Sequence, residues 1–176
     1  MAIETFKDFK VRKRGCVMMT VDVPEWDNIC SIVNTEDVYS PDEDHGIEHD
    51  PHVTVLYGFY SFVLPNEVIE ILRQFEPPKV LFGSIGIFED HPDFDIVMIN
   101  VTSEDLTKMN LSLAKLPNEE TFPNYKPHVT IAYVKKGTAK KYEGIQLEIP
   151  TELFLDEAIY SMPNGQKISL ELHERR

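Results

Sequence analysis

The sequence predicts an α+β protein built from two similar lobes, and three observations carry that expectation. A heptapeptide, PHVTVLY at 51–57, returns almost unchanged as PHVTIAY at 127–133. Short stretches of alternating apolar residues, the period of a half-buried strand, are interleaved with stretches of helical period. No linker divides the 176 residues, and with 42% hydrophobic residues the chain can bury a sizeable core. Residues 1–176 are therefore expected to form a single bilobal domain.

Each element has its own signal. GCVMMTVDV (15–23) reads as a strand with Val17, Met19, Val21 and Val23 on its core face, leaving Arg14, Cys16, Met18 and Thr20 on the other. PEWDNICSIV reads as a short helix opened by Pro24. The stretch from Asn34 to Asp50 is polar and acidic, and is expected to be a solvated surface loop. After the first heptad, itself a strand, Val68, Ile69, Leu72 and Phe75 recur at helical spacing and predict a helix near 65–75. KVLFGSIGIFE and FDIVMINVT are two strands joined around DHPD, and SEDL opens a helix over 103–116 with Ser103 as its cap. The second heptad is again a strand. ELFLDEAIYSM and QKISLELH then close the chain as a hairpin around PNG. Each half thus holds a heptad strand, a helix and paired strands.

Composition narrows the function. With 17 Lys and Arg against 30 Asp and Glu, the formal charge is -13, and such a surface repels long polyanions whose binding needs many phosphates neutralised. Long DNA or RNA is a poor ligand for this chain. The positive charges are bunched, in KVRKR at 10–14 and in Lys135, Lys136, Lys140 and Lys141, where they either hold a small anion or end solvated loops. Cys16 and Cys30 lack metal-ligand spacing and read as reduced, small core residues in a cytoplasm. No apolar run approaches the roughly 20 residues of a membrane helix, so neither membrane insertion nor export is expected.

Chemistry concentrates in the heptads. Alternation puts His52 and Thr54 on one face of the first strand, with Val53, Val55 and Tyr57 on the core face and Leu56 beyond the pair on the polar side. The second copy puts His128 and Thr130 on one face, with Val129, Ile131 and Tyr133 opposite. If the lobes oppose these faces, the cleft holds two imidazoles and two hydroxyls. A neutral imidazole takes a proton from an attacking oxygen, and a protonated one gives a proton to a departing oxygen; histidine titrates near the pH at which both states coexist. Stiff threonine hydroxyls donate to phosphate oxygens as charge builds there. This set needs neither metal nor cofactor.

The remaining histidines do not form such a pattern. His45 and His49 lie in the acidic loop, where no carboxylate spacing matches an ion-binding loop; His91 sits in a turn and His173 near the end of the chain. Parity along 152–160 puts Glu157 on the face of Leu153, Leu155 and Ile159, where it either accepts hydrogen bonds from a nucleobase or marks a bulge. Arg14, on the polar face of the first strand, either reaches a phosphate at the cleft mouth or is a plain exposed arginine.

PHVTVLYG and PHVTIAYV resemble the paired His-x-Thr motifs of the two-histidine phosphoesterases. That resemblance implies a pseudo-twofold fold of two antiparallel sheets facing a central cleft, with helices on the outer faces, in which His52, Thr54, His128 and Thr130 are the catalytic pairs. RKRGCVMM, GIEHDPHVTVLYG and KPHVTIAYVKKG are further similar to the phage anti-CBASS nucleases, which degrade cyclic oligonucleotide immune signals. On that branch the protein would act in the host cytoplasm, with an internal 2′-hydroxyl as nucleophile. Off it, water would open a 2′,3′-cyclic phosphate at an RNA terminus. A module that sequesters a nucleotide without cleaving it would have no need of a proton donor and acceptor.

Overall fold

The computed structural model describes residues 14–119 and 123–173. Lys10 to Lys13, most of the first basic cluster, lie outside the described residues. The strands are β1 (Gly15–Thr20), β2 (His52–Phe59), β3 (Lys79–Phe88), β4 (Phe94–Thr102), β5 (His128–Lys135), β6 (Glu152–Phe154), β7 (Glu157–Ser161) and β8 (Lys167–Glu171). The helices are α1 (Trp26–Cys30), α2 (Pro65–Leu72) and α3 (Glu104–Leu113). The strands form one antiparallel sheet in the order β6-β3-β4-β5-β2-β1-β7-β8. The two sheets expected from the resemblance are its four-stranded halves. They are continuous through a single bridge pair, Val53 with Val129, between the two motif strands.

One face of the sheet is apolar. Val17, Met19, Val53, Val55, Val97, Ile99, Val129 and Ile131 are all fully buried on it. Val68, Ile69 and Leu72 of α2 and Leu106, Met109 and Leu113 of α3 cover this face, as their helical spacing requires. Ser103 caps α3, its hydroxyl accepting from the Leu106 amide at 3.1 Å. The helix expected from Pro24 begins two residues later, at Trp26, because Glu25 adopts a left-handed conformation (φ 63°). Among the described residues the α-helices bury their side chains in this core, and the opposite face of the sheet carries the polar residues of the motif strands.

Three expectations are corrected by the pairing. Residues 152–160 are not one strand: β6 pairs with β3 and β7 with β1, so the chain changes neighbours around Leu155 and Asp156 and the parity count does not carry across. Ala158 and Tyr160 are the core residues of β7, while Glu157 and Ile159 face the other way. The acidic loop is not simply solvated. Val38 and Ile47 bridge to Val134 and Ala132, and its backbone bonds to Tyr133 and Ile131, so the loop extends the sheet along β5 where β2 diverges.

The third correction concerns both heptads. Between Met18–Thr54 and Val17–Leu56 the register of β1 and β2 slips by one, leaving Val55 as an extra residue; between Met98–Thr130 and Val97–Ala132 it slips again, leaving Ile131. Each is a β-bulge at the fifth heptad position, and each reverses the parity beyond it. Leu56 and Ala132 therefore enter the core, and Tyr57 and Tyr133 emerge on the face of the histidines. The carbonyls freed by the bulges are satisfied, that of Val55 by Asn110 Nδ2 of α3 at 2.7 Å and that of Ile131 by the Glu48 amide at 2.9 Å.

Candidate active site

The two His-x-Thr motifs meet because their strands cross at the middle residue of each. In an antiparallel crossing at Val53 and Val129, His52 faces Thr130 and His128 faces Thr54, and all four side chains lie on the face opposite the core. His52 and His128 are diagonal neighbours across the crossing, a relation that puts Cα atoms roughly 7–8 Å apart in a sheet. Tyr125 reinforces the crossing by donating from its hydroxyl to the Thr54 carbonyl at 3.0 Å.

Both rings are held identically. Nδ1 of His52 lies 2.8 Å from the Asp50 carbonyl, and Nδ1 of His128 lies 2.8 Å from the Lys126 carbonyl. A carbonyl only accepts, so Nδ1 carries the proton in each ring and Nε2 is left to exchange one. His128 also meets the edge of Phe88, with ring centroids 4.9 Å apart. Burial holds the His128 imidazole below the ordinary histidine range, the bond to Lys126 works the other way, and repulsion from His52 lowers it further. His128 is thus biased toward the neutral state.

Each histidine has a polar neighbour one strand outward. Thr20 pairs with His52, and Asn100 with His128. Thr20 donates to Glu157 Oε2 at 3.1 Å, and Ser169 donates to Glu157 Oε1 at 2.6 Å, so Glu157 sits on the site face with both oxygens engaged. Asn100 donates from Nδ2 to the Ser84 carbonyl at 3.0 Å. Alternation puts Thr20 on the polar face of β1, but nothing local marks Thr20 or Asn100 as partners of the histidines, since cross-strand neighbours depend on register alone.

Other expected residues are placed less centrally. Arg14 pairs with Glu119 and stacks over Tyr60 at 4.9 Å. It is neither free nor plainly exposed. Cys30 is in the core as expected, whereas Cys16 lies on the site face beside Thr54, and burial pushes its thiol up to about 12. The second basic cluster is tied to protein groups: Lys135 to the Glu36 carbonyl, Lys136 to Asp95, Lys140 to Glu143 and Lys141 to Asp37. His45 contacts Asp42 at 2.6 Å and packs among Tyr39, Phe94 and Tyr133, and His91 stacks on Phe94 at 3.8 Å. Among the described residues no group of three or more His, Cys, Asp or Glu side chains is disposed to hold a metal ion. No helix there is long and apolar enough to cross a membrane.

The family model of the 2′-5′ RNA ligase superfamily matches residues 30–154, a span that contains both motifs and the crossing. The chain belongs to the 2′-5′ RNA ligase superfamily. This is the two-histidine phosphoesterase class, and the protein is a phosphodiesterase of that class. Solved structures of the same fold include Usb1 of Kluyveromyces marxianus, 12% identical over 93% of this chain and 100% of that one, with a TM-score of 0.59. LigT of E. coli complexed with 3′-AMP is 13% identical over 92% of this chain and 95% of that one, with a TM-score of 0.55. Usb1 is also known with uridine monophosphate (13% identity, coverage 93% and 100%, TM-score 0.56). At these identities the likeness shows the superfamily fold. No curated protein sequence matches the chain.

Proposed function

We propose that this superfamily member cleaves small cyclic nucleotides or oligonucleotides without a metal, using His128 as general base and His52 as general acid. The observation that supports the reading is the crossing at Val53 and Val129, where two imidazoles with the same Nδ1 anchoring and two hydroxyls share one face of the sheet. Neutral His128 removes the proton of the attacking hydroxyl through Nε2 as that oxygen bonds to phosphorus. His52, protonated, gives its Nε2 proton to the bridging oxygen as the old P–O bond breaks. Thr54 and Thr130 donate to the non-bridging oxygens, where negative charge grows. The proton taken at one ring is matched by the proton given at the other, so one exchange with solvent resets the pair.

The flanking segments around both motifs favour a cyclic di- or trinucleotide immune signal as substrate, with a ribose 2′-hydroxyl as nucleophile. Its attack on the adjacent phosphorus leaves a 2′,3′-cyclic phosphate and a free 5′-hydroxyl. The formal charge of -13 supports a short ligand over long RNA. Glu157, aligned with Thr20 and His52 across the sheet, is the residue we assign to base contact in that half; Arg14 supports the mouth of the cleft through Tyr60 and Glu119. A second reading, hydrolysis of a 2′,3′-cyclic phosphate at an RNA terminus, draws on the mononucleotides held by Usb1 and LigT. Both use the same four residues.

The test is incubation with cyclic di- and trinucleotides and 2′,3′-cyclic mononucleotides in excess EDTA, with products separated by chromatography. Linear products from the cyclic oligonucleotides are expected. Turnover confined to the mononucleotides would select the second reading. Activity abolished by EDTA and restored by one divalent ion would overturn the metal-independent mechanism, and tight binding without cleavage would establish a sequestering module.

A further inference from the structure

Beside His128 the site face opens into a cleft of about 550 Å³, within the range of small-molecule sites, whose walls include Ser84, Phe88, Glu89, Asp90 and Lys126. The phosphodiester reaction uses only its inner rim, at His128. At its floor is an arrangement that β3 and β4 have been shaped to make. Asn100 of β4 is exposed, pairs with His128 on one side, and on the other lies over Gly86 of β3. A Cβ at Gly86 would come within 2.7 Å of Asn100 Oδ1 and of the Met98 methyl, and within 2.8 Å of Asn100 Nδ2. The amide therefore occupies space that any other residue at 86 would fill. Its rotation is fixed as well, because the Ser84 carbonyl only accepts and must face Nδ2, at 3.0 Å. Oδ1 is left as an oriented acceptor, one strand from the imidazole at the phosphate.

We infer that this cleft is a nucleobase subsite in which Asn100, positioned by Gly86 and Ser84, selects a base carrying an exocyclic amino group. The inference takes its location from the phosphodiesterase reading. The lining supports a base over a second phosphate: the carboxylates Glu89, Asp90 and Glu143 outnumber the ammonium of Lys126 and disfavour an anion, while Glu89, Asp90 and Asn100 Oδ1 accept from N–H groups. Phe88, whose ring borders both the cleft and His128, gives the base an aromatic wall. Adenine offers N–H donors where hypoxanthine offers a carbonyl oxygen, which would face Asn100 Oδ1 acceptor to acceptor. A site built from such fixed groups rejects the analogue that cannot pair with them.

Equilibrium binding separates this inference from the chemistry. Calorimetric titration of the intact protein with 3′-AMP and 3′-IMP is expected to show about 10-fold tighter binding of 3′-AMP, the weight of one well-made hydrogen bond against an unpaired one. Asn100→Ala removes the acceptor, and Gly86→Ala displaces it without deleting it. Each is expected to bring the two affinities within about twofold, because 3′-AMP weakens. A general loss of structure would weaken both ligands together, and should Gly86→Ala fail to fold, Asn100→Ala carries the test alone. Equal wild-type affinities, binding of neither ligand, or a preference that survives both substitutions would overturn the inference. A preference for 3′-AMP in a protein that cleaves nothing would uphold the subsite and sink the phosphodiesterase mechanism.

Discussion

Val53 faces Val129 in the bridge that joins the two halves of the sheet, and each is the middle residue of a His-x-Thr motif. Because the strands are antiparallel, this one pair sets each histidine against the threonine of the other motif. It also makes the rings neighbours rather than members of separate surfaces.

The first consequence is kinetic. Replacing His52 or His128 with alanine is expected to lower single-turnover rates by ~10²-fold or more, the usual weight of general acid–base catalysis. Affinity for the same cyclic nucleotide should change much less. Thr54→Val and Thr130→Val each remove one donor to a phosphate oxygen and should cost less than the ~3 kcal/mol of a strong oxyanion donor, since the face is partly wet. Rates measured beside calorimetric affinities for the four variants check this, and variants that turn over like wild type would reduce the motifs to core strands.

The second follows from the environment of His128. Burial and then the neighbouring His52 lower its pKa, so its ring should titrate below the ordinary histidine value of about 6.5 when followed by NMR. As the general base it must be neutral, so kcat/KM should be held as pH falls through that value and lost only when the lowered pKa is crossed. In His52→Ala one lowering influence is gone, and the His128 midpoint should move up while burial keeps it below the free value. A downward shift in that variant would contradict the proximity of the two rings.

The third tests the bulges. Asn110 Nδ2 is the partner of the Val55 carbonyl, which the bulge takes out of the strand ladder. Asn110→Ala should destabilise the fold by about 1–3 kcal/mol, the range for a buried polar group left unpaired. Asn110→Asp should not restore it, because a carboxylate cannot donate. Urea denaturation of the three proteins decides the matter; an unchanged midpoint in Asn110→Ala would mean that the bulge needs no outside support.

The fourth concerns the thiol in the site. With its pKa pushed up to about 12 by burial, Cys16 should present thiolate in roughly one molecule in 10⁴ at pH 8 and resist iodoacetamide. Cys30, raised by burial to about 11, should be similarly slow, and both should react promptly once the protein is unfolded. Rapid alkylation of the folded protein at Cys16, read by peptide mass spectrometry, would contradict the raised pKa that burial gives this thiol.

What the sequence by itself determined is whatever depends on local pattern. The α+β class, the apolar face of β1, the helix capped by Ser103 and the shared face of each histidine with its threonine all follow from periods of 2 and 3.6 and from capping chemistry, which neighbours in sequence settle between themselves. The tertiary structure decided what depends on register. Tyr57 and Tyr133 lie on the site face, against the alternation, because an extra residue in each strand reverses every side chain beyond it, and nothing in PHVTVLY announces which residue will be left unpaired. Glu157 escaped its expected apolar face because β6 and β7 pair with strands far apart in the sheet. Asn100 and Thr20 became neighbours of the histidines through pairings between segments distant in sequence, and only the folded sheet selects which residues those pairings bring together.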